Sequence, residues 1–129
     1  MIDFRIERGG VPPYLQLVQQ VKQALRLGWL EPGDKLPTVH EVAASAAVNS
    51  NTVLKAYKEL EREGLAMGRP GQGTFIVKSL TQLTPATYST LYRRLRSWIA
   101  AARLAGLEDD GIGDLFAAAM RELGAAETA

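Results

Sequence analysis

Apolar residues recur every three or four positions over several stretches of the chain, a period typical of amphipathic helices. The first stretch begins after Pro12–Pro13 and ends before Gly28. Proline is tolerated in the first turn of a helix and glycine often follows its end, so both boundaries agree with the periodicity. The apolar side predicted to be buried consists of Tyr14, Leu17, Val18, Val21 and Leu25.

A period of two precedes this helix. Ile2, Phe4 and Ile6 alternate with the charged residues Asp3 and Arg5. Strict alternation over a few residues predicts a short β-strand. The glycine pair at positions 9 and 10 is expected to end it.

Two more helices are predicted close together in the middle of the chain. The first runs from Thr38 to Ala46, and Glu41 completes a capping box with Thr38. Asn49 is a second N-cap, and the helix that follows it ends at Gly64. The buried stripe predicted for this second helix consists of Val53, Ala56, Tyr57 and Leu60. Two helices joined by so few residues predict a helix-turn-helix.

A β-hairpin is predicted after these helices. Its strands are 65–67 and 74–77, and the loop between them is rich in glycine and carries Arg69. A glycine-rich loop that binds a nucleotide would be followed by a helix, whereas a strand follows here. The loop is therefore interpreted as the tip of a hairpin.

The C-terminal part predicts two helices. Thr84–Pro85 caps the first, and its apolar positions are spaced by alternate steps of three and four, as in the seam of a coiled coil. The second is predicted from Asp109 to Leu123, and 124–129 is expected to fray. The apolar positions of the two helices include Tyr88, Leu91, Leu95, Trp98, Ile99, Ala102, Leu115, Phe116 and Met120.

These elements predict a mainly α fold with a small β-hairpin (α+β). A winged helix-turn-helix domain is expected over residues 1–78, followed by a short arm of two helices over residues 79–129. The continuous apolar stripes of the arm would leave a large exposed patch on a monomer, which predicts a homodimer formed through the arm. Packing of these residues onto their own winged domain is the alternative.

Composition excludes several function classes. The chain has no cysteine, one histidine and a net charge of +1, so disulfides, cysteine nucleophiles and histidine-rich metal sites are not expected. We expect no catalytic residues, no metal and no cofactor. No uncharged apolar run approaches the ~20 residues that span a bilayer, and no leader pattern opens the chain, so we expect no membrane association and a cytoplasmic location.

The motifs in residues 13–77 resemble the GntR family of bacterial regulators. The matching stretches are Pro13–Gln16, Pro32–Thr38, Glu41–Ala43, Asn51–Val53, Ala56–Tyr57, Leu60–Glu61 and Gly71–Phe75. Their order and spacing make the resemblance specific, and the short arm resembles the YtrA-type subfamily. The resemblance implies a DNA-binding transcriptional regulator. Two positions depart from it: His40 stands where most relatives have arginine, and Val48–Asn49–Ser50 replaces the usual turn sequences.

Residues suited to DNA contact lie in three places. At the start of the second helix these are Thr38 and His40, for phosphate or a base edge. In and before the third helix they are Asn49, Ser50, Asn51, Thr52, Lys55 and Lys58. Asn51 could bond an adenine with two hydrogen bonds, and the hydroxyls and lysines suit phosphates. At the hairpin tip they are Arg69, Gly71, Gln72, Gly73 and Thr74, where glycine permits close approach to the DNA backbone.

Three functions follow from this interpretation. The leading one is a homodimeric regulator, expected to be a repressor, that binds a palindromic operator in double-stranded DNA. The second is a winged-helix module whose same surfaces bind protein. The third adds an unidentified small-molecule effector at the interface of the C-terminal helices.

Overall fold

The computed structural model describes residues 2–128, with side chains described as far as residue 125. It contains five helices and one two-stranded sheet, in the order α1 Pro13–Arg26, α2 Val39–Ala46, α3 Ser50–Arg62, β1 Ala66–Arg69, β2 Gly73–Ile76, α4 Pro85–Leu104 and α5 Asp109–Thr128. The chain divides into two compact units, residues 1–83 and 84–129. None of the described helices combines the length and apolar character needed to cross a membrane.

The core of the first unit lies where α1, α2 and α3 meet. Leu17, Val21 and Leu25 of α1 are buried against Val53 and Leu60 of α3. The predicted apolar stripes of both helices are thus confirmed, except that Tyr14 is only partly buried. The helix-turn-helix packs on this core, which fixes the direction in which α3 presents its opposite side.

The hairpin is antiparallel, and its register pairs Ala66 with Ile76 and Arg69 with Gly73. Both strands are shifted slightly from the predicted ranges, and the prediction of a hairpin is confirmed. Ala66 and Ile76 are buried in the core, whereas the tip at Pro70–Gln72 is exposed. One end of the hairpin is therefore anchored and the other projects from the unit.

The predicted N-terminal strand is absent: residues 2–7 have no assigned strand. The segment bonds to glutamine side chains of α1 instead of to another strand. Gln20 accepts from the Arg5 N–H (3.0 Å) and donates to its carbonyl (2.6 Å), and Gln16 bonds Glu7 in the same way (2.8 and 2.7 Å). Phe4 is nevertheless buried in the core. The alternating pattern therefore predicted correctly that Phe4 is buried and wrongly that the segment pairs as a strand.

The second unit is formed by α4 and α5. The Thr84 hydroxyl caps the N-terminus of α4 by accepting a 3.1 Å hydrogen bond from the Thr87 N–H. Gly106, with φ +99°, lies between the end of α4 and the start of α5. Ala102 and Ile112 are buried in this unit. The predicted end of the last helix at Leu123 is wrong, since α5 continues past Gly124 to Thr128. The fraying expected for 124–129 stays a prediction, and residue 129 lies outside the described residues.

Candidate nucleic-acid interface

The helix-turn-helix is held by two caps. The Thr38 hydroxyl accepts from the Glu41 N–H (3.1 Å), and the Glu41 carboxylate accepts from the Thr38 N–H (3.3 Å), so the predicted capping box is confirmed. The Asn49 side chain accepts from the Asn51 N–H at 2.8 Å, as expected for an N-cap. Between the caps, Ala47 adopts the left-handed conformation with φ +55° and ends α2. These local bonds set the turn from which α3 starts.

Helix α3 has two distinct faces. Val53, Ala56, Tyr57 and Leu60 form the buried face. With 100° per residue, the positions of Ser50–Lys58 that lie farthest from this face are those of Asn51, Lys55 and Lys58, and all three side chains are exposed. Arg62 lies on the same side one turn later and pairs with Glu59. The helix therefore presents an amide and two ammonium groups along one exposed stripe.

The remaining candidates of α3 flank this stripe. Ser50 and Leu54 are exposed, and 42% of the Leu54 side chain is accessible. Thr52 is half-buried. Small polar groups at a helix N-terminus can approach a base edge or a phosphate closely.

Tyr57 ties α3 to the segment that precedes α2. Its hydroxyl donates to the Pro37 carbonyl at 2.5 Å, one residue before Thr38. Burial raises the pKa of the Tyr57 phenol above its usual value, and the nearby Glu41 carboxylate raises it further. The phenol therefore stays protonated and keeps its hydrogen bond to the Pro37 carbonyl, which holds α3 and the start of α2 in one arrangement.

Two of the cationic side chains of α3 interact with other residues of the protein. The Lys55 ammonium lies 4.0 Å from the centroid of the Tyr14 ring on α1, a cation–π contact that the sequence did not indicate. Arg62 pairs with Glu59, and this hydrogen bond lowers the pKa of the Glu59 carboxyl. Lys58 makes no ion pair among the described residues, so its charge is available to a ligand.

The hairpin tip depends on glycine at two positions. Gly71 has φ +72° and Gly73 has φ +124°, conformations that other residues adopt only with strain. The Gln72 N–H donates to the Arg69 carbonyl (3.0 Å) to close the turn, and its side chain is exposed. The Arg69 guanidinium carbon lies 4.6 Å from the centroid of the Phe75 ring.

An open groove of about 640 Å³ connects the hairpin with the start of α2. It is lined by Lys35, Thr38 and the hairpin residues Gly68, Arg69, Pro70, Gly71, Gln72, Gly73 and Thr74. The structure thus brings together the predicted hairpin residues and Thr38. His40 is exposed near the start of α2 but does not line this groove.

Lys35 is the charged residue of this groove that was not predicted from the sequence as a DNA contact. It lies in the motif Pro32–Thr38, but nothing local to the motif indicates its position. It pairs with Phe75 as an isolated antiparallel bridge, a contact between residues distant in sequence. In a single sequence, the turn at Gly33 is the only sign that the residues after it pair with a distant strand.

The predicted dimerisation residues are mostly accessible in the second unit. Leu91, Leu95, Leu115, Phe116 and Met120 are exposed by 42 to 59%. Tyr88, Trp98 and Ile99 are half-buried, and Ala102 is buried. Tyr88 and Tyr92 stack with ring centroids 5.7 Å apart on one side of α4.

The described residues offer no metal site. No group of three or more histidine or carboxylate side chains among them lies close enough to hold a metal ion. The acidic residues Asp109 and Asp110 lie in the first turn of α5, where carboxylates interact favourably with the helix dipole.

Comparisons with known proteins agree with this geometry. The family model "Bacterial regulatory proteins, gntR family" matches residues 13–76. The chain is 42% identical over 102 residues to the HTH-type transcriptional repressor YtrA of Bacillus subtilis, and the match covers 78% of each protein.

Two solved structures extend the comparison. YtrA from Sulfolobus acidocaldarius, a GntR-family transcription factor, is 29% identical, with a TM-score of 0.50 over 90% of this chain and 94% of that one. The AraR DNA-binding domain in complex with operator ORE1 is 26% identical, with a TM-score of 0.54 over 57% of this chain and 96% of that one. The predicted winged helix-turn-helix with a short helical arm is thus confirmed. The chain is a DNA-binding transcriptional regulator and not an enzyme, and it belongs to the YtrA-type subfamily of the GntR family.

Proposed function

We propose that this protein represses transcription by binding a palindromic operator in double-stranded DNA as a homodimer. The observation that carries the proposal is the exposed stripe Asn51, Lys55 and Lys58 on the side of α3 opposite its buried face. A helix of this kind fits the major groove, where an amide can read adenine and ammonium groups can hold phosphates or guanine.

The hairpin and the start of α2 support DNA contact beside α3. Thr38, Arg69 and Gln72 share one open groove with the glycines of the hairpin tip. Hydroxyl, guanidinium and amide groups in such a groove suit the sugar-phosphate backbone, and glycine lets that backbone come close. Under this proposal Asn49, Ser50 and Thr52 contact phosphate at the N-terminus of α3, and His40 contacts phosphate or a base edge.

The exposed apolar residues of the arm support the homodimer. Leu91 and Leu95 on α4, together with Leu115, Phe116 and Met120 on α5, would remain in water in a monomer. Burying apolar surface contributes roughly 25 cal/mol per Å², so pairing with a second copy that covers these side chains offsets part of the cost of association. A twofold dimer presents two reading heads, which predicts an operator with two inverted half-sites separated by about 10 bp or a multiple of it, centre to centre.

Repression is the proposed outcome of binding because a dimer on a promoter excludes the polymerase. The relative in Bacillus subtilis is named a transcriptional repressor, which agrees with this direction. Fusing the selected operator to a reporter gene would test it. Expression should fall when the protein is present, and a rise would show activation instead.

The experiment that tests the proposal is selection of bound fragments from random duplex DNA. The selected sequences should contain an inverted repeat, and the affinity for it should fall steeply as salt increases, because phosphate contacts release counterions. Binding of single half-sites without symmetry would contradict the homodimer. Failure to bind any duplex at low ionic strength would contradict the function itself and favour a module that binds protein.

A further inference from the structure

The segment before α2 extends the hairpin to a third paired stretch of backbone. Lys35 is bridged to Phe75 of β2, with backbone hydrogen bonds on either side. These bonds are Gly33 N–H to the Ile76 carbonyl (2.8 Å), Ile76 N–H to the Asp34 carbonyl (2.8 Å) and Leu36 N–H to the Thr74 carbonyl (2.9 Å). The backbone of Lys35 is therefore fixed relative to the hairpin, and only its side chain is free to reorient.

The Lys35 side chain crosses β2 at Gly73. A Cβ atom built at Gly73 would lie 2.7 Å from the Lys35 Cε, so the end of the Lys35 side chain would have to shift. Gly73 therefore leaves the space through which Lys35 passes. The methylene groups cover the hairpin backbone, and the residue lines the groove shared with Thr38 and the hairpin tip.

Arg69 lies on the same face of the hairpin as Lys35. Residues paired directly across strands share a face, so Lys35 and Phe75 do, and the Arg69 guanidinium lies over the Phe75 ring. Neither cation pairs with a carboxylate among the described side chains. Two cations without an acidic partner on one face of the hairpin, lining one groove, favour the binding of an anion there.

We infer that Lys35 and Arg69 together hold one phosphate of the DNA backbone, and that Gly73 leaves room for the side-chain conformation in which Lys35 reaches it. The inference rests on the proposed function and adds to it a contact residue that the motif does not reveal. A phosphate contact carries no sequence information, so Lys35 contributes to affinity and salt dependence and leaves the choice of operator unchanged.

The first test is Lys35→Met, which removes the charge and keeps the length of the side chain. Affinity for operator and for unrelated duplex should fall by the same factor, and the slope of log K against log salt should weaken by about 2, because each protomer of the dimer loses one phosphate contact. Lys78→Met is the matched control, since Lys78 is exposed beyond the end of β2 and should leave the slope unchanged.

The second test is Gly73→Ala, with Gly71→Ala as its control. Both positions have positive φ, but a Cβ at Gly71 meets nothing within 4 Å. The loss of DNA binding caused by Gly73→Ala should be smaller in the Lys35→Ala background, where no long side chain is left to be displaced, than in the wild type, whereas the loss caused by Gly71→Ala should be the same in both backgrounds. An equal loss for Gly73→Ala in the two backgrounds would overturn the coupling between Gly73 and Lys35.

The outcomes separate the two proposals. A wild-type protein that binds no duplex rejects the proposed function. A wild-type protein that binds, while Lys35→Met keeps both the affinity and the salt slope, rejects only the role of Lys35. Thermal unfolding of each variant shows whether a loss of binding comes from loss of the fold.

Discussion

Ala47 carries backbone strain at the turn of the helix-turn-helix. It is the one non-glycine residue with positive φ among the residues that the structure describes (φ 55°, ψ 48°). An L-residue in this conformation is less stable by roughly 1–2 kcal/mol than in the right-handed one. The strain is tolerated because its neighbours fix the turn, with the N–H groups of Ala47 and Val48 both bonded to the Ala43 carbonyl.

Replacing Ala47 with glycine should stabilise the protein. The relief of strain exceeds the added flexibility of the unfolded chain, so we expect the free energy of unfolding to rise by about 0.5–1 kcal/mol. Chemical denaturation measures it at fixed protein concentration. The control is Ala44→Gly at an exposed position inside α2, which should lower the free energy of unfolding by about 1 kcal/mol. A decrease for Ala47→Gly would contradict the left-handed turn.

Asn51 is the residue on which sequence discrimination depends in the proposed function. Asn51→Ala should weaken binding to the selected operator by roughly 1–3 kcal/mol per half-site and leave non-specific binding nearly unchanged, because a base contact is lost in each protomer. Competition assays with both DNAs measure the difference. Lys58→Met serves as the contrast, with an equal loss on both DNAs. Equal losses for Asn51→Ala would exclude base reading by this residue.

At the scale of elements, one hydrogen bond joins α3 to the segment before α2. The Tyr57 hydroxyl reaches the Pro37 carbonyl from a side chain that is only 3% exposed. Loss of the hydroxyl would leave the carbonyl without this partner. Tyr57→Phe should therefore lower the free energy of unfolding by about 1–3 kcal/mol.

Alkaline pH provides a second measurement on the same bond. The raised pKa of Tyr57 means that the folded protein keeps this proton at a pH where the unfolded chain loses it. The free energy of unfolding should therefore fall as the pH rises above the ordinary tyrosine value of about 10. Tyr57→Phe should remove this part of the slope, and Tyr92→Phe, at an exposed tyrosine, should not. An unchanged slope in Tyr57→Phe would assign the pH dependence to other groups.

Local sequence determined the helices more fully than the extended segments. Thr38, Asn49 and Thr84 each predict a helix start because the capping bond lies within one turn of the chain. The segment around Phe4 was wrongly predicted as a strand. Two glutamine side chains of α1 form the hydrogen bonds with its backbone that a neighbouring strand would otherwise form. Gly124 was taken as a helix end, but glycine disfavours a helix by only about 1 kcal/mol relative to alanine.

The candidate interface was predictable where it is contiguous in sequence. The N-terminus of α3 and the hairpin tip each form one short stretch, so pattern and motif located them. Lys35 depends on pairing with Phe75, forty positions later, and Lys55 is drawn toward Tyr14 on another helix. Such contacts arise from tertiary packing and leave no periodic trace.

At the scale of the molecule, the exposed side chains of the arm determine the expected assembly. Leu95 is 42% exposed on the seam of α4, whereas Leu104 is 91% exposed and lies about half a turn away from it. The two leucines therefore form a matched pair. One is expected at the interface between copies and the other in solvent.

Leu95→Glu should shift the protein from dimer to monomer, since a carboxylate at the seam would be buried without a partner. Leu104→Glu should leave the dimer intact. Sedimentation equilibrium measures the association constant, and circular dichroism verifies that the helices persist. The same monomerising variant should bind the full operator much more weakly than the wild type. A dimer unaffected by Leu95→Glu would move the interface to another surface.

The glutamines of α1 hold the N-terminal segment through its main chain alone, and this frees its outward side chains from any structural requirement. Arg5 and Glu7 can be exchanged for residues of almost any size or charge without disturbing Gln20 and Gln16. Proline is the exception, because it lacks the N–H group that each glutamine oxygen accepts. Evolution can therefore vary the chemistry of this edge of the protein while its path over α1 stays the same.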